Sequence, residues 1–151
     1  MATSPDELTV RSWTQLARTS RIVTESIETD LRAAGLPPLG WYDVLLELQR
    51  AEDQTLRPFE LEEHLLLAQY NLSRLIDRIA AEGYVRKQPV ASDRRGHEIV
   101  LLPSGAAMRE RMWPVYAAAI ERHIGSRLDK DEAATLVQIL GLLLPQGGAA
   151  D

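Results

Sequence analysis

The sequence predicts a mainly α-helical chain with one small β-hairpin, and three observations support this fold class. Apolar residues recur at spacings of three and four through most of the chain, which is the pattern of helices that bury one face. Between Tyr84 and Leu102 the pattern changes to short apolar runs around a polar, turn-forming stretch, which is typical of a hairpin. With 151 residues, 45% of them hydrophobic, the chain can form one compact domain, alone or with an added dimerisation layer.

The stretch from Leu61 to Pro103 organises the chain, because two helices and the hairpin follow one another there without a spacer. The first helix is predicted to begin at Pro58, since proline suits the first helical turn. The apolar stripe of the second helix consists of Leu72, Leu75, Ile76 and Ile79. Gly83 ends this helix, because glycine adopts the left-handed C-cap conformation without steric cost. A turn near Leu67 and Ala68 joins the two helices into a helix-turn-helix.

The side of the second helix opposite this stripe is polar. It carries Gln69, Tyr70, Asn71, Ser73, Arg74 and Arg78. These side chains donate or accept hydrogen bonds at base edges and phosphates, and the second helix of a helix-turn-helix enters the major groove. The pattern therefore predicts that this face binds double-stranded DNA.

The predicted hairpin has strands from Tyr84 to Lys87 and from Glu98 to Leu102. Residues Thr55 to Arg57 are a possible short third strand beside it. Its tip, Ser92 to Gly96, is polar and turn-forming, as expected for a loop that projects from a sheet.

Arg94 and Arg95 lie in this tip and give it two positive charges. An extended loop with two guanidinium groups could reach into a minor groove. Asp93 is expected to hold one of these arginines in place, because its own charge would repel phosphate.

Several of these segments resemble the MarR family of bacterial winged-helix transcription regulators. The likeness is carried by SRLIDRIAAEGYVRK, SDRRG and IVLLPSG, and it extends weakly over the whole chain. Its most specific residues are Arg74, Asp77, Arg78, Gly83, Asp93, Arg94 and Arg95. Leu66, Ala68 and Pro103 depart from the family pattern, which usually has a small residue, a hydroxyl N-cap and a threonine at these three positions.

The resemblance implies a single unit over residues 1–151, with a winged helix-turn-helix DNA-binding part at 37–103 and dimerisation helices at 4–34 and 104–145. Gln69 to Arg74 would read the major groove, and Arg94 or Arg95 would enter the minor groove. Two copies paired about a two-fold axis would place two recognition helices in successive major grooves, so a homodimer is predicted to bind an inverted-repeat site. We call residues 37–103 the reading part.

The terminal segments also predict dimerisation from their own residues. The first helix is expected from about Ser4 to Ala34, with an N-cap and a proline in its first turn. The last helix has an aspartate N-cap within the segment from Leu128 to Glu132, and from Leu136 to Leu144 it is apolar almost all round. One small domain rarely covers such a helix alone, so we expect both terminal helices to pack against a second copy.

Two further helices complete the predicted order of elements. One runs from Pro37 to about Arg50, with Trp41, Val44, Leu45 and Leu48 facing inward. The other is opened by Ser104 and is predicted to run to about His123 or Ser126.

The formal net charge of −5 is distributed unevenly along the chain. Residues 70–97 carry six bases and three acids, net +3, whereas residues 58–69 carry three acids and no base, net −3. The remaining parts are acidic, with −3 over residues 1–57 and −2 over residues 98–151. The positive charge is therefore local to the proposed reading surface, although a solvated charged face would also produce such a pattern.

The sequence argues against several other classes of protein. The absence of cysteine excludes a disulfide scaffold, a thiolate metal site and a cysteine nucleophile. The spacing of His64, His97 and His123 gives no metal signature, so neither a metal nor another cofactor is expected. No phosphate loop, nucleophile elbow or zinc-protease motif indicates an enzyme. Without a long apolar segment or a secretory signal, the chain is predicted to be cytoplasmic and to have no membrane partner.

A small-molecule effector in the cleft between the dimerisation helices and the reading part is implied by the family resemblance. Trp13, Trp41 and His64 are its candidate lining residues, although the tryptophans could equally belong to the core or the interface and His64 to a hydrogen-bonded interface. The sequence thus predicts a sequence-specific, homodimeric regulator, most simply a repressor. The alternative is a winged-helix protein-interaction module without DNA binding, which Arg74 and Arg78 on the outward face argue against.

Overall fold

The structure is a computed structural model and describes residues 3–68 and 71–145. Its helices are α1 (Glu7–Ala33), α2 (Leu39–Arg50), α3 (Pro58–His64), α4 (Leu72–Ala81), α5 (Pro103–Ile120) and α6 (Lys130–Gly141). Its strands are β1 (Thr55–Leu56), β2 (Val85–Val90) and β3 (Asp93–Leu101). The predicted fold class, mainly α with a small β-wing, is confirmed.

The first helix contributes to the core only with its C-terminal half. It begins at Glu7 rather than near Ser4, because the Asp6 carboxylate accepts the Thr9 backbone N–H at 2.7 Å and so caps the helix. Gly35, with a φ of 71°, follows its end in the left-handed region that favours glycine. Ile27 and Leu31 are buried, whereas the residues from 7 to 22 are almost all exposed.

Helix α2 lies at the centre of the core and packs against α1, α3, α5 and the sheet. Its buried apolar residues are Leu39, Tyr42, Val44, Leu45 and Leu48. Trp41, predicted to face inward with them, is half-buried and packs against this core. The helix also buries one charged residue, Asp43.

The three strands form one antiparallel sheet in the order β1-β3-β2. The possible third strand is therefore present, with Thr55 opposite Val100 in the register. The hairpin tip is shorter than predicted. Only Ala91 and Ser92 form the turn, and a register shift at Pro89 and Val90 interrupts the ladder.

Arg94 and Arg95 consequently lie in strand β3 and not in an extended loop, which corrects the sequence-based expectation. A two-residue turn is the commonest hairpin connection, and the irregularity beside Pro89 accommodates a residue that cannot donate to the ladder. Both arginines remain exposed at the distal end of the wing.

The C-terminal region continues α5 beyond Ile120 as a π-helical turn, Glu121–Gly125, close to the predicted end of that helix. Helix α6 then begins with a capping box in which Asp129 and Glu132 each accept the backbone N–H of the other. None of its residues is buried within the single chain. Within the described ranges, none of the helices combines the length and the hydropathy of a membrane span.

Candidate nucleic-acid interface

Helix α4 presents a polar face to solvent because its apolar stripe is held in the core. Ile76 and Ile79 are buried, and Ser73, Arg74 and Arg78 on other sides of the helix are exposed. Neither of the two arginines forms an ion pair with any described residue. Both guanidinium groups are therefore available to an anionic partner.

The residues before α4 have different placements. Asn71 is the N-cap, and its side-chain oxygen accepts the Arg74 backbone N–H at 3.3 Å. This oxygen therefore caps the helix, although Asn71 was predicted to read bases. Gln69 and Tyr70, also predicted to read bases, lie outside the described residues.

The turn before α4 is held by Asp43, a residue that the sequence analysis did not single out. Its Oδ2 accepts the backbone N–H groups of Leu66 and Leu67, at 2.7 and 3.2 Å. Burial raises the pKa of the Asp43 carboxyl above its ordinary value, and the two N–H groups oppose this effect. The available signal was a single acid within the otherwise apolar inward face of α2.

The wing is joined to α3 through a pair between Arg57 and Asp93. The Arg57 Nη2 donates to Asp93 Oδ2 at 2.9 Å, and the same guanidinium lies 5.7 Å from the centre of the Phe59 ring. A side chain at Gly96 would collide with both members, since its Cβ would lie 2.1 Å from Arg57 Nη2 and 2.7 Å from Asp93 Oδ2. The hydrogen bond from Arg57 holds the pKa of Asp93 below its ordinary value.

Asp93 was expected to hold the guanidinium of a wing arginine, and the structure corrects this. From Arg95 it accepts only the backbone N–H, at 3.1 Å, and its other oxygen accepts from the Arg57 guanidinium. The side chains of Arg94 and Arg95 form no ion pair with the described residues. An ion pair between Lys87 and Asp77 also links β2 to α4, so the wing and the helix are joined directly.

A cavity of about 1160 Å³ lies between α2, the turn after α3, and α5. Three aromatic rings form one wall: Tyr42 lies 5.0 Å from Tyr116 and 6.2 Å from Trp113, measured between ring centroids. Burial raises the pKa of the Tyr116 hydroxyl. The described residues contain no group of three or more side chains suited to a metal ion.

The three residues suggested for an effector pocket do not come together. His64 lines this cavity, whereas Trp13 is 65% exposed on α1. Trp41 packs edge-on against Tyr84, with 6.2 Å between the ring centroids, and does not line the cavity. The aromatic wall is supplied by other residues because α5 brings Trp113 beside α2, which no local sequence pattern indicates.

Comparison with known proteins agrees with this geometry. Residues 34–96 match the sequence profile of the MarR family. This match spans fewer than half of the 151 residues. Multiple antibiotic resistance protein MarR from Salmonella typhimurium is 32% identical over 88 residues, which are 58% of this chain and 61% of that protein. The chain thus matches about three fifths of the length of this MarR relative.

Solved structures extend the likeness in fold to nearly the whole chain. Sco3205, a MarR family transcriptional regulator from Streptomyces coelicolor in complex with DNA, has a TM-score of 0.82 at 20% identity, over 95% of this chain and 89% of that one. BpsR from Bordetella bronchiseptica, whose DNA binding is regulated by 6-hydroxynicotinic acid, has a TM-score of 0.77 at 19% identity, over 98% and 100%. The chain therefore has the winged-helix fold of these regulators.

Proposed function

We propose that the chain is a sequence-specific transcription regulator that binds double-stranded DNA through α4 and the wing. The observation that carries this proposal is the set of exposed arginines without ion-pair partners among the described residues: Arg74, Arg78, Arg94 and Arg95. Two lie on α4 and two on the wing, and the pair between Lys87 and Asp77 joins these elements. The crystal structure of Sco3205, which shares the fold, is that of a complex with DNA.

The functional unit that we propose is a homodimer formed by α1 and α6. Large apolar side chains are exposed on both helices: Leu8, Val10, Trp13, Leu16, Ile22, Leu136, Val137 and Ile139. Leu142, Leu143 and Leu144 continue this apolar surface beyond α6. So much exposed apolar surface is unusual for a monomer, and a second copy would cover it.

A two-fold dimer presents two copies of α4, which enter successive major grooves when they lie about one helical turn, roughly 34 Å, apart. The proposed operator is therefore an inverted repeat. A dimer bound where polymerase contacts the DNA would block transcription, so repression is the simplest outcome. The cavity beside the turn is the proposed effector site, and the regulation of BpsR by 6-hydroxynicotinic acid supports a small molecule as effector.

Selection of bound duplexes from a random DNA pool tests this function. The expected result is enrichment of an inverted repeat whose half-sites are about 10–10.5 base pairs apart, with binding that weakens steeply as salt rises. The Arg74→Ala variant, carried through the same selection, is the matched control and should enrich less. No enrichment by the unaltered protein would favour the winged-helix protein-interaction module instead.

A further inference from the structure

Arg57 lies between two segments that are fixed in the fold. It follows strand β1, in which Leu56 lies opposite Ile99 in the sheet register, and it precedes α3. Its backbone N–H donates to the Glu60 carboxylate at 3.1 Å. Its backbone C=O accepts the N–H of Leu61, a fully buried residue, at 2.9 Å. The backbone of Arg57 is therefore a fixed base for a side chain that contacts the wing.

The guanidinium of Arg57 contacts the wing through one hydrogen bond and packs on one ring. Its Nη2 donates to Asp93 Oδ2 at 2.9 Å, and its central carbon lies 5.7 Å from the centre of the Phe59 ring. Its Nε is buried and has no hydrogen-bond partner among the described residues. Aromatic faces attract cations, so the Phe59 ring and the Asp93 carboxylate together hold the guanidinium. This contact gives a role to a phenylalanine that is 58% exposed.

Asp93 links Arg57 to Arg95, one of the two arginines at the distal end of the wing. The Asp93 Oδ1 accepts the backbone N–H of Arg95 at 3.1 Å, while Oδ2 accepts from Arg57. Among the described residues, no side chain holds the backbone of Arg94 in this way. A displacement of the Arg57 guanidinium would therefore release Asp93, and with it the segment of backbone from which the Arg95 side chain projects.

Gly96 leaves open the space that the pair of Arg57 and Asp93 occupies. A Cβ at this position would lie 2.1 Å from Arg57 Nη2 and 2.7 Å from Asp93 Oδ2. The φ of Gly96 is not in the left-handed region, so its backbone conformation is open to alanine as well. Both colliding atoms are at the ends of side chains, which can move aside. Gly96→Ala should therefore separate the pair without removing a charge or preventing folding.

We propose that Arg57 is a positioning residue for DNA recognition: through Asp93 it holds Arg95 in the orientation that enters the minor groove, and it thereby sets a preference for A·T-rich DNA beside each half-site. The proposal rests on the proposed function, because it requires a wing that binds DNA. The narrow minor groove of an A·T tract has an enhanced negative potential that attracts arginine. An arginine whose backbone is already held loses less conformational freedom on binding, so more of this attraction contributes to affinity. This role requires no contact between Arg57 and DNA.

Two duplexes test this role. They share the selected half-sites and carry either an A·T tract or G·C-rich sequence where each wing would lie. The unaltered protein should bind the A·T-flanked duplex about tenfold more tightly, because the minor groove distinguishes A·T from G·C pairs. Arg95→Ala, Arg57→Ala and Gly96→Ala should each reduce this ratio to less than about threefold. Arg57→Lys should keep most of the ratio, because an ammonium group can also pair with Asp93.

A double variant and an unrelated ion pair separate positioning from general support of the fold. Arg57→Ala added to Arg95→Ala should change the ratio no further, because both act on one contact. Arg21→Ala removes an exposed pair on α1, in which Arg21 lies 3.3 Å from Glu25, and should leave the ratio unchanged.

Hydrogen exchange at the Arg95 amide, measured by NMR on the free protein, gives a readout that needs no DNA. Loss of the hydrogen bond to Asp93 should make this exchange about fivefold faster in Arg57→Ala and in Gly96→Ala than in the unaltered protein. Arg57→Lys should exchange at close to the unaltered rate.

Equal binding of the two duplexes by the unaltered protein would overturn the proposal and leave DNA binding itself standing. The same holds if Arg57→Ala weakens both duplexes by one factor, since Arg57 would then act as a phosphate contact. If the unaltered protein binds no duplex, the proposed function fails, and unchanged exchange at the Arg95 amide in Arg57→Ala would separately overturn the positioning role. If Gly96→Ala does not fold, the comparison of Arg57→Ala with Arg57→Lys decides.

Discussion

The reading part and the terminal helices differ in where their apolar residues lie. In α4, Ile76 and Ile79 are buried while Arg74 and Arg78 face solvent. In α6, by contrast, no residue is buried, and Leu142 just after the helix is 81% exposed.

In the single chain, the apolar side chains of the reading part are covered, whereas those of α6 stay exposed. Burial of apolar surface contributes about 25 cal/mol per Å² removed from water, and the reading part gains this within the single chain. The exposed leucines of α6 gain it only when another surface covers them. We therefore expect changes in α6 to act through assembly, and changes in α4 and the wing to act through DNA contacts alone.

The largest expected effect comes from a charge placed in the apolar surface of α6. Leu140→Glu with Leu143→Glu should break the dimer and abolish operator binding together, because a charge buried at the interface would lack a partner. Sedimentation gives the mass of the assembly, and a mobility shift with the selected operator gives binding.

Gln138→Glu is the matched control on the same helix, because it adds a charge where the side chain is already polar and exposed. It should leave both the mass and the operator binding close to those of the unaltered protein. A monomeric double variant that still bound one half-site with full affinity would contradict the assembly role of α6.

The next largest effect is expected from the arginines of α4 and the wing that are proposed to contact DNA. Replacing Arg74, Arg94 or Arg95 by Ala should each weaken operator binding by about 1–3 kcal/mol, since each loses a contact to a base or phosphate. Dimer mass and melting temperature should stay nearly unchanged. A fluorescence titration measures the affinity, with exposed Arg111 on α5 changed to Ala as the control. Neutral results for all three would reject the proposed docking mode.

A smaller effect is expected from the pair that joins the wing to α3. Asp93→Asn should weaken operator binding less than Arg95→Ala, because both members of the pair are partly exposed and such pairs contribute little. Since the pKa of Asp93 is lowered in the fold, the pair stabilises the wing above the ordinary Asp range and loses that contribution as the pH falls through the lowered pKa.

Operator titrations over a descending pH series measure this contribution. The difference between Asp93→Asn and the unaltered protein should shrink as the pH falls through that range. A difference that stays constant would show that Asp93 acts without its charge. Asp53→Asn, at an exposed acid outside the wing, controls for general effects of charge removal.

The smallest effect is an expected absence of response to mild peroxide. The chain has no cysteine, and Met108 and Met112 are buried in the core. Mild peroxide should therefore leave operator binding unchanged in a mobility-shift assay. Release of the operator at peroxide levels too low to oxidise methionine would contradict this prediction.

Periodicity predicted most of α4 because its stripe and terminal glycine are local signals, but Asn71, predicted to lie on the face of the helix, is its N-cap. The same local signals placed α2 and most of α5, and the alternation after Gly83 predicted the sheet. The hairpin tip was misplaced by a few residues, since the register shift at Pro89 and Val90 depends on pairing with β3. Asp93 was assigned to a neighbouring arginine, whereas its partner Arg57 is 36 residues away.

The sequence by itself determined the order of the elements, the apolar stripes, the polar face of α4 and the absence of thiol chemistry, because each depends on residues within a few positions of one another. Only the tertiary structure decided that Asp43 supports the turn before α4, and that Tyr42, Trp113 and Tyr116 rather than Trp13 and Trp41 surround a cavity. These contacts join α2 to segments more than 20 residues away. The spacing of residues along a chain does not indicate which distant side chains meet when helices pack.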